Sequence, residues 1–159
     1  MSDGASNVVI RPLNEQDIHA CARIMADTAL WQRYQVTPAR AERRFQQGWE
    51  EGAAVFVAEQ QGDVVGFVWC VPRGAFDRSG YIALIGVDVS KRKQGIGARL
   101  LHHAEAFLAR HSADVFLLVS DFNAPAQRFY ERHGYVRVGA LPDYVLPGVT
   151  ELIYRKRLR

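Results

Sequence analysis

Two cysteines in 159 residues are too few for a disulfide framework or a thiolate metal site, and Cys21 falls in a helical pattern while Cys70 falls in a strand pattern. Plain reduced thiols are expected of both. No apolar run approaches the roughly 20 residues that a membrane-spanning helix needs. The stretch Met1-Ser2-Asp3-Gly4-Ala5-Ser6-Asn7 has neither a basic flank nor an apolar signal core, so a soluble, cytoplasmic chain with no membrane partner is expected. Internal repeats, low-complexity segments and linkers are also lacking. Residues 8–159 therefore read as a single domain behind a flexible start at 1–7.

Charge of one sign is not in strong excess: 20 Lys and Arg stand against 17 Asp and Glu, for a net +3. The basic residues are scattered, and Arg155-Lys156-Arg157 reads as a solvated strand end. With no clustered aromatics and no basic stripe, no nucleic-acid partner is expected. A mildly positive potential still suits a small anionic ligand.

Pattern along the chain gives the order β-α-α-β-β-β-α-β-α-β-β. A short strand at 8–10 is stopped by Pro12, and Asn14 is placed to cap a helix over 15–29. Thr37-Pro38 supplies a cap and a first-turn proline for a second helix toward Trp49. Apolar runs at 53–59 and 64–71 flank Gln60-Gln61-Gly62-Asp63, a hairpin signal. A strand over 81–89 follows, interrupted by Gly86, where a bulge or a close backbone approach is expected. Then come a helix over 95–111, a strand at 115–120, a short helix at 125–132, and strands at 135–138 and 150–156.

Arg92-Lys93-Gln94-Gly95-Ile96-Gly97 joins the strand 81–89 to the helix 95–111. A glycine turn opening a helix suits an anion, because the first helical N–H groups lack intrahelical acceptors and sit at the positive end of the dipole. A dinucleotide fingerprint would need a small residue where Leu100 stands and an acid about twenty positions on. A P-loop would need Lys-Ser/Thr where Ala98-Arg99 stands. Arg-x-x-Gly-x-Gly at a strand end instead resembles the acetyl-CoA pyrophosphate loop of the GCN5-related N-acetyltransferases. Asn123-Ala124-Pro125-Ala126-Gln127-Arg128-Phe129-Tyr130-Glu131-Arg132-His133-Gly134-Tyr135 resembles a later motif of that family, in the family's order and at its separation.

The resemblance implies an α/β (α+β mixed) fold, a mixed six- to seven-stranded twisted sheet with helices on both faces. It also implies direct attack of a primary amine on the acetyl-CoA thioester within a ternary complex. Gln94, Gly95, Ile96, Gly97 and Ala98 would meet the pyrophosphate, with Arg92 adding charge. Main-chain groups of Val87 and Val89 would meet pantetheine, and the N–H near Val87 could face the thioester oxygen. Tyr130 would protonate the leaving thiolate and touch the cofactor, although as a residue beside Phe129 it also reads as a core aromatic. Asn123 would bind pantetheine, cap the following helix, or both.

Asp88, Asp121 and Glu59 are the candidate bases; position does not separate them, and an acceptor amine near pKa 8 needs none. Acceptor contacts are expected at Trp31 and Tyr34 and in the loop holding Asp143 and Tyr144, with a small-molecule or protein amine as partner. His102-x-x-Glu105 has metal-ligand spacing but no third ligand, so no metal is expected. Two matters stay open: a homodimer, and a domain that binds acyl-CoA without turnover.

Overall fold

The computed structural model describes residues 7–159; the start expected to be flexible lies, up to residue 6, outside the described residues. Seven strands hydrogen-bond in the order β1-β2-β3-β4-β5-β7-β6. They are β1 (Val8–Pro12), β2 (Ala54–Gln60), β3 (Asp63–Ala75), β4 (Ser79–Val87), β5 (Asp114–Ser120), β6 (Val136–Pro142) and β7 (Thr150–Arg157). Five helices accompany them: α1 (Ile18–Ala26), α2 (Ala29–Arg33), α3 (Pro38–Glu50), α4 (Ile96–Leu108) and α5 (Ala124–Arg132). The β4/β5 pair is parallel, whereas β1/β2, β2/β3, β5/β7 and β6/β7 are antiparallel. This is the mixed architecture expected, with seven strands. The described residues group into two compact units, 7–70 with 84–106, and 71–83 with 107–159.

In the first unit the hairpin forms where the turn residues allow it. Gln61 and Gly62 take positive φ of 52° and 84°, the left-handed pair whose twist matches antiparallel strands. Thr37 accepts the Arg40 N–H at 3.2 Å and Pro38 occupies the first turn, so α3 starts where its cap predicts. Phe45, fully buried on α3, meets Phe67 of β3 edge-on at 5.0 Å. Around that pair pack Ile24 and Met25 of α1 and Val55 and Val57 of β2. Burying each such side chain is worth about 1.5–3 kcal/mol, which explains why the amphipathic helices dock here.

Some elements differ from the sequence reading. The helix expected over 15–29 is a 3-10 turn at Glu15–Asp17, then α1, then a separate α2. Asp17 turns its carboxylate back to the Asn14 N–H at 2.8 Å and to Arg11 at 2.7 Å, holding a tight first turn. At the other end the Thr28 hydroxyl donates to the Ile24 carbonyl at 2.7 Å, and Thr28 is extended at φ −89°, ψ 125° before α2 starts. Likewise the strand expected over 81–89 is Ser79–Val87, followed by a 3-10 turn at Val89–Lys91. Asp88 causes that turn: its carboxylate accepts the Ser90 N–H at 2.9 Å and the Ser90 hydroxyl at 2.7 Å. Asp88 and Val89 thus leave the strand alternation assigned to them.

In the second unit Val115 and Leu117 of β5 and Tyr154 of β7 are all within 1% of full burial and form the inner face of the sheet. Gly80 lets Leu108 approach β4: a Cβ there would meet both Leu108 methyls at 3.2 Å. Ser79 donates to Asp114 at 2.5 Å, and Arg155 donates to the other carboxylate oxygen through Nε at 2.8 Å and Nη2 at 2.7 Å. Burial raises the Asp114 carboxyl, but these donors and Arg78 outweigh it and hold it below the usual range. The strand expected at 135–138 is longer, Val136–Pro142, with a register shift between Arg137 and Gly139.

Candidate active site

The connection from β4 to α4, within the first unit, has the local shape of an anion cradle. Lys93 (φ 67°) and Gly95 (φ 78°) are left-handed on either side of Gln94, the kind of alternation that turns successive backbone N–H groups toward one concavity. The Gly95 carbonyl accepts the first helical bond, from Arg99 N–H at 3.1 Å. The N–H groups of Ile96, Gly97 and Ala98 precede that bond and have no acceptor within the helix. Ile96 is 1% exposed, so its side chain belongs to the core and only its main chain can meet a ligand. Arg92, Lys93 and Arg99 are exposed and supply positive charge around the loop. The Gln94 amide oxygen accepts from Gln60 at 3.3 Å, a tether from β2 that no sequence motif announces.

Arg92 folds back, its Nε donating to the Val87 carbonyl at 3.4 Å. Val87 is half-buried at the end of β4, and Val89, outside the strand, is 56% exposed. Gly86 marks a close approach: a Cβ there would come within 2.9 Å of Phe67 and 3.0 Å of the Trp31 ring. Trp31 stacks on Phe67 at 5.8 Å, so it joins the core while standing against β4. Tyr34 ends α2 and is half-buried.

Of the candidate bases in this unit, Asp88 is heavily engaged. Besides Ser90 it accepts from Arg23 at 3.4 Å, and its N–H donates to Val65 at 2.8 Å. The Ser90 hydroxyl, chiefly, with the Ser90 N–H and Arg23, holds the Asp88 carboxyl below its ordinary range, so it is a weak proton acceptor at neutral pH. Glu59 is paired with Arg11 at 2.9 Å.

In the second unit, Asn123 accepts the Ala126 N–H at 3.3 Å and so caps α5. Tyr130, on α5, is 7% exposed, with Phe129 and Tyr135 edge-on at 5.2 and 5.6 Å. Burial pushes its phenol above the ordinary tyrosine value. Among the described residues no group hydrogen-bonds that phenol, whereas Tyr154, also buried, gives its hydroxyl to Glu131 at 2.9 Å. Asp121 accepts the Thr150 N–H at 3.3 Å and is otherwise exposed. Asp143 (φ 54°) closes the loop between β6 and β7, accepting the Gly148 N–H at 2.6 Å, and Tyr144 beside it is 61% exposed.

The chain is similar to known proteins. A model of the Acetyltransferase (GNAT) family matches residues 20–135, a span that includes both the 92–98 loop and Tyr130. The chain belongs to that family. It is 36% identical over 101 residues to the mycothiol acetyltransferase of Thermobispora bispora, covering 60% of this chain and 34% of that protein. It is also 36% identical over 83 residues to N-alpha-acetyltransferase 30 of Xenopus laevis, covering 52% of this chain and 30% of that one. The chain spans about a third of the length of these curated relatives. Among solved structures, a GNAT-family protein from Desulfovibrio desulfuricans superposes with a TM-score of 0.80 at 21% identity, over 96% of this chain and 99% of the other. That likeness is one of fold.

Proposed function

We propose that the chain is an acetyl-CoA-dependent N-acetyltransferase that moves an acetyl group to a primary amine by direct attack. The observation that carries the reading is the loop from Arg92 to Ala98, whose left-handed Lys93 and Gly95 precede three helix-opening N–H groups without intrahelical acceptors. Such donors suit a pyrophosphate. The two units are read as one acetyltransferase domain, since the family match extends through parts of both.

Main-chain groups at Val87 and Val89 meet the pantetheine arm, and the backbone N–H near Val87 polarises the thioester carbonyl. The neutral amine attacks that carbon, and the tetrahedral intermediate expels the CoA thiolate. Tyr130 supplies the proton. Transfer from a phenol near pKa 10 to a thiolate near 8.5 is uphill by about 2 kcal/mol in water, and a buried site disfavours both anions together. Asn123 meets pantetheine with the amide hydrogens its capping role leaves over. Asp121, whose carboxylate accepts just the Thr150 N–H among the described residues, is the better of the carboxylates to take the proton lost by the amine, directly or through water.

One relative is named for mycothiol and another for an α-amine, and an acceptor of one of these two kinds is proposed here. Trp31, Tyr34, Asp143 and Tyr144 are assigned to the acceptor. The test is CoA thiol release from acetyl-CoA against a panel of small primary amines and peptides with free N-termini, with mass spectrometry of the product. Amine-dependent thiol release matched by N-acetylated product is expected. Retention of acetyl-CoA with no turnover on any amine would favour the non-catalytic acyl-CoA-binding reading.

A further inference from the structure

Sequence reading finds no cluster of aromatics beside the basic residues, but folding of the second unit builds one. Cross-strand pairing sets Arg155 opposite Phe116 and Arg157 opposite Asp114. Strand alternation then puts these four residues on one face of the sheet, opposite the buried Val115 and Tyr154. The Arg155 guanidinium lies over the Phe116 ring at 5.8 Å, and Phe76 meets the same ring edge-on at 5.4 Å. Phe76 is 80% exposed, so one face of its ring is open to solvent.

The turn that presents Phe76 is left-handed. Arg73, Phe76 and Asp77 all take positive φ, at 58°, 58° and 53°, in residues that are not glycine. Arg73 holds the turn by donating Nε and Nη2 to the Asp77 carbonyl at 3.2 and 2.9 Å. Core packing does not explain a phenyl ring held outward this way. The hairpin turn, closed by the Arg78 N–H on the Ala75 carbonyl at 3.1 Å, calls for the left-handed pair at Phe76 and Asp77 but not for an exposed phenyl ring there.

Charge narrows the ligand. Arg73, Arg78 and Arg157 are exposed around the ring, and Arg155 keeps 37% of its side chain accessible although it is paired with Asp114. Two carboxylates face these four cations: Asp114 is engaged by Ser79 and Arg155, and Asp77 sits in the turn itself. An open aromatic face among arginines fits a ligand that carries planar rings and phosphates in alternation. We infer that this face of the second unit, centred on Phe76, Phe116 and Arg155, binds single-stranded nucleic acid. The inference uses no residue assigned to acetyl transfer and stands apart from that reading. A duplex keeps its bases stacked away from such a ring, and an acidic peptide would use the arginines but not the phenyl face.

The test is fluorescence anisotropy at low salt with a labelled oligouridylate of about 12 nucleotides, within the usual site size. A duplex of the same length and poly-glutamate serve as comparisons. We expect the single strand to bind more tightly than either. Phe76→Ala should weaken it by roughly five- to a hundred-fold, the usual range for losing one stacking ring. Arg157→Gln should reduce the salt slope by about 0.7, as for one phosphate contact on a single strand. Trp49→Ala, which removes an exposed ring on α3, should change nothing. Circular dichroism and melting curves check that each variant is folded. Absence of binding, equal binding of the duplex, or wild-type affinity in folded Phe76→Ala would overturn the inference. Poly-glutamate binding equal to the oligonucleotide and indifferent to Phe76 would replace it with an acidic protein partner.

Discussion

Tyr154 donates its hydroxyl to Glu131 at 2.9 Å, and this bond ties β7 to α5 one residue from Tyr130. Two buried tyrosines meet at the same helix, yet only Tyr154 has its hydroxyl engaged within the described residues. Tyr130 therefore keeps a proton donor available in an apolar setting. Tyr130→Phe should preserve acetyl-CoA affinity and lower turnover by roughly ten- to a thousand-fold, as for a general acid that water partly replaces. Calorimetry and steady-state kinetics check the two halves. Wild-type turnover would remove the acid role, and lost affinity would make Tyr130 a binding residue.

The same burial sets an expected pH dependence. Because the Tyr130 phenol is raised above the ordinary value of about 10, it stays protonated through the neutral and mildly alkaline range. No loss of kcat/KM attributable to Tyr130 ionisation should appear below about pH 10. An alkaline limb present in wild type below that point and absent in Tyr130→Phe would contradict the assignment.

Asp143 joins two demands that a substitution can separate. Its carboxylate fixes the loop through Gly148, and its charge is the one proposed to meet the acceptor amine. Asn at this position keeps the accepting oxygen and tolerates the left-handed backbone at φ 54°, so Asp143→Asn removes the charge alone. The acceptor KM should rise several-fold to tenfold, about 1 kcal/mol for a partly solvated pair, with the acetyl-CoA KM unchanged. Unchanged kinetics for both substrates would place the loop outside the acceptor site.

Cys21 and Cys70 are buried, and burial pushes both thiols up to about 12. Neither is available as a thiolate at neutral pH. A thiol-reactive disulfide reagent should label neither cysteine in the native protein at pH 8 and both in urea, so CoA release can be followed without interference. Rapid native labelling would show that one of these strand or helix packings opens.

How much was legible in the sequence follows the range of the forces involved. The Gln61-Gly62 hairpin, the Thr37-Pro38 helix start and the Asn123 cap depend on neighbours within about four residues, and all three form as read. The 92–97 motif was visible for the same reason. Part of what was missed has partners far away. Asp88 leaves the strand because of Ser90, but its link to Arg23 spans 65 positions and its N–H bond to Val65 spans the hairpin. The helix α2 has five residues, too few to show a period, and is set off by Thr28 turning onto Ile24. The Phe76, Phe116 and Arg155 stack joins a turn and two strands that no local pattern links.

The most direct test of the central reading is calorimetric titration of acetyl-CoA into the wild type and into Gly97→Glu in parallel. The substitution puts bulk and negative charge at the opening of α4, where the backbone N–H groups are assigned to the pyrophosphate. We expect one-to-one binding by the wild type and none by the variant, with matching circular dichroism showing that the variant is folded. Equal acetyl-CoA affinity in both proteins would contradict the assignment of the 92–98 loop.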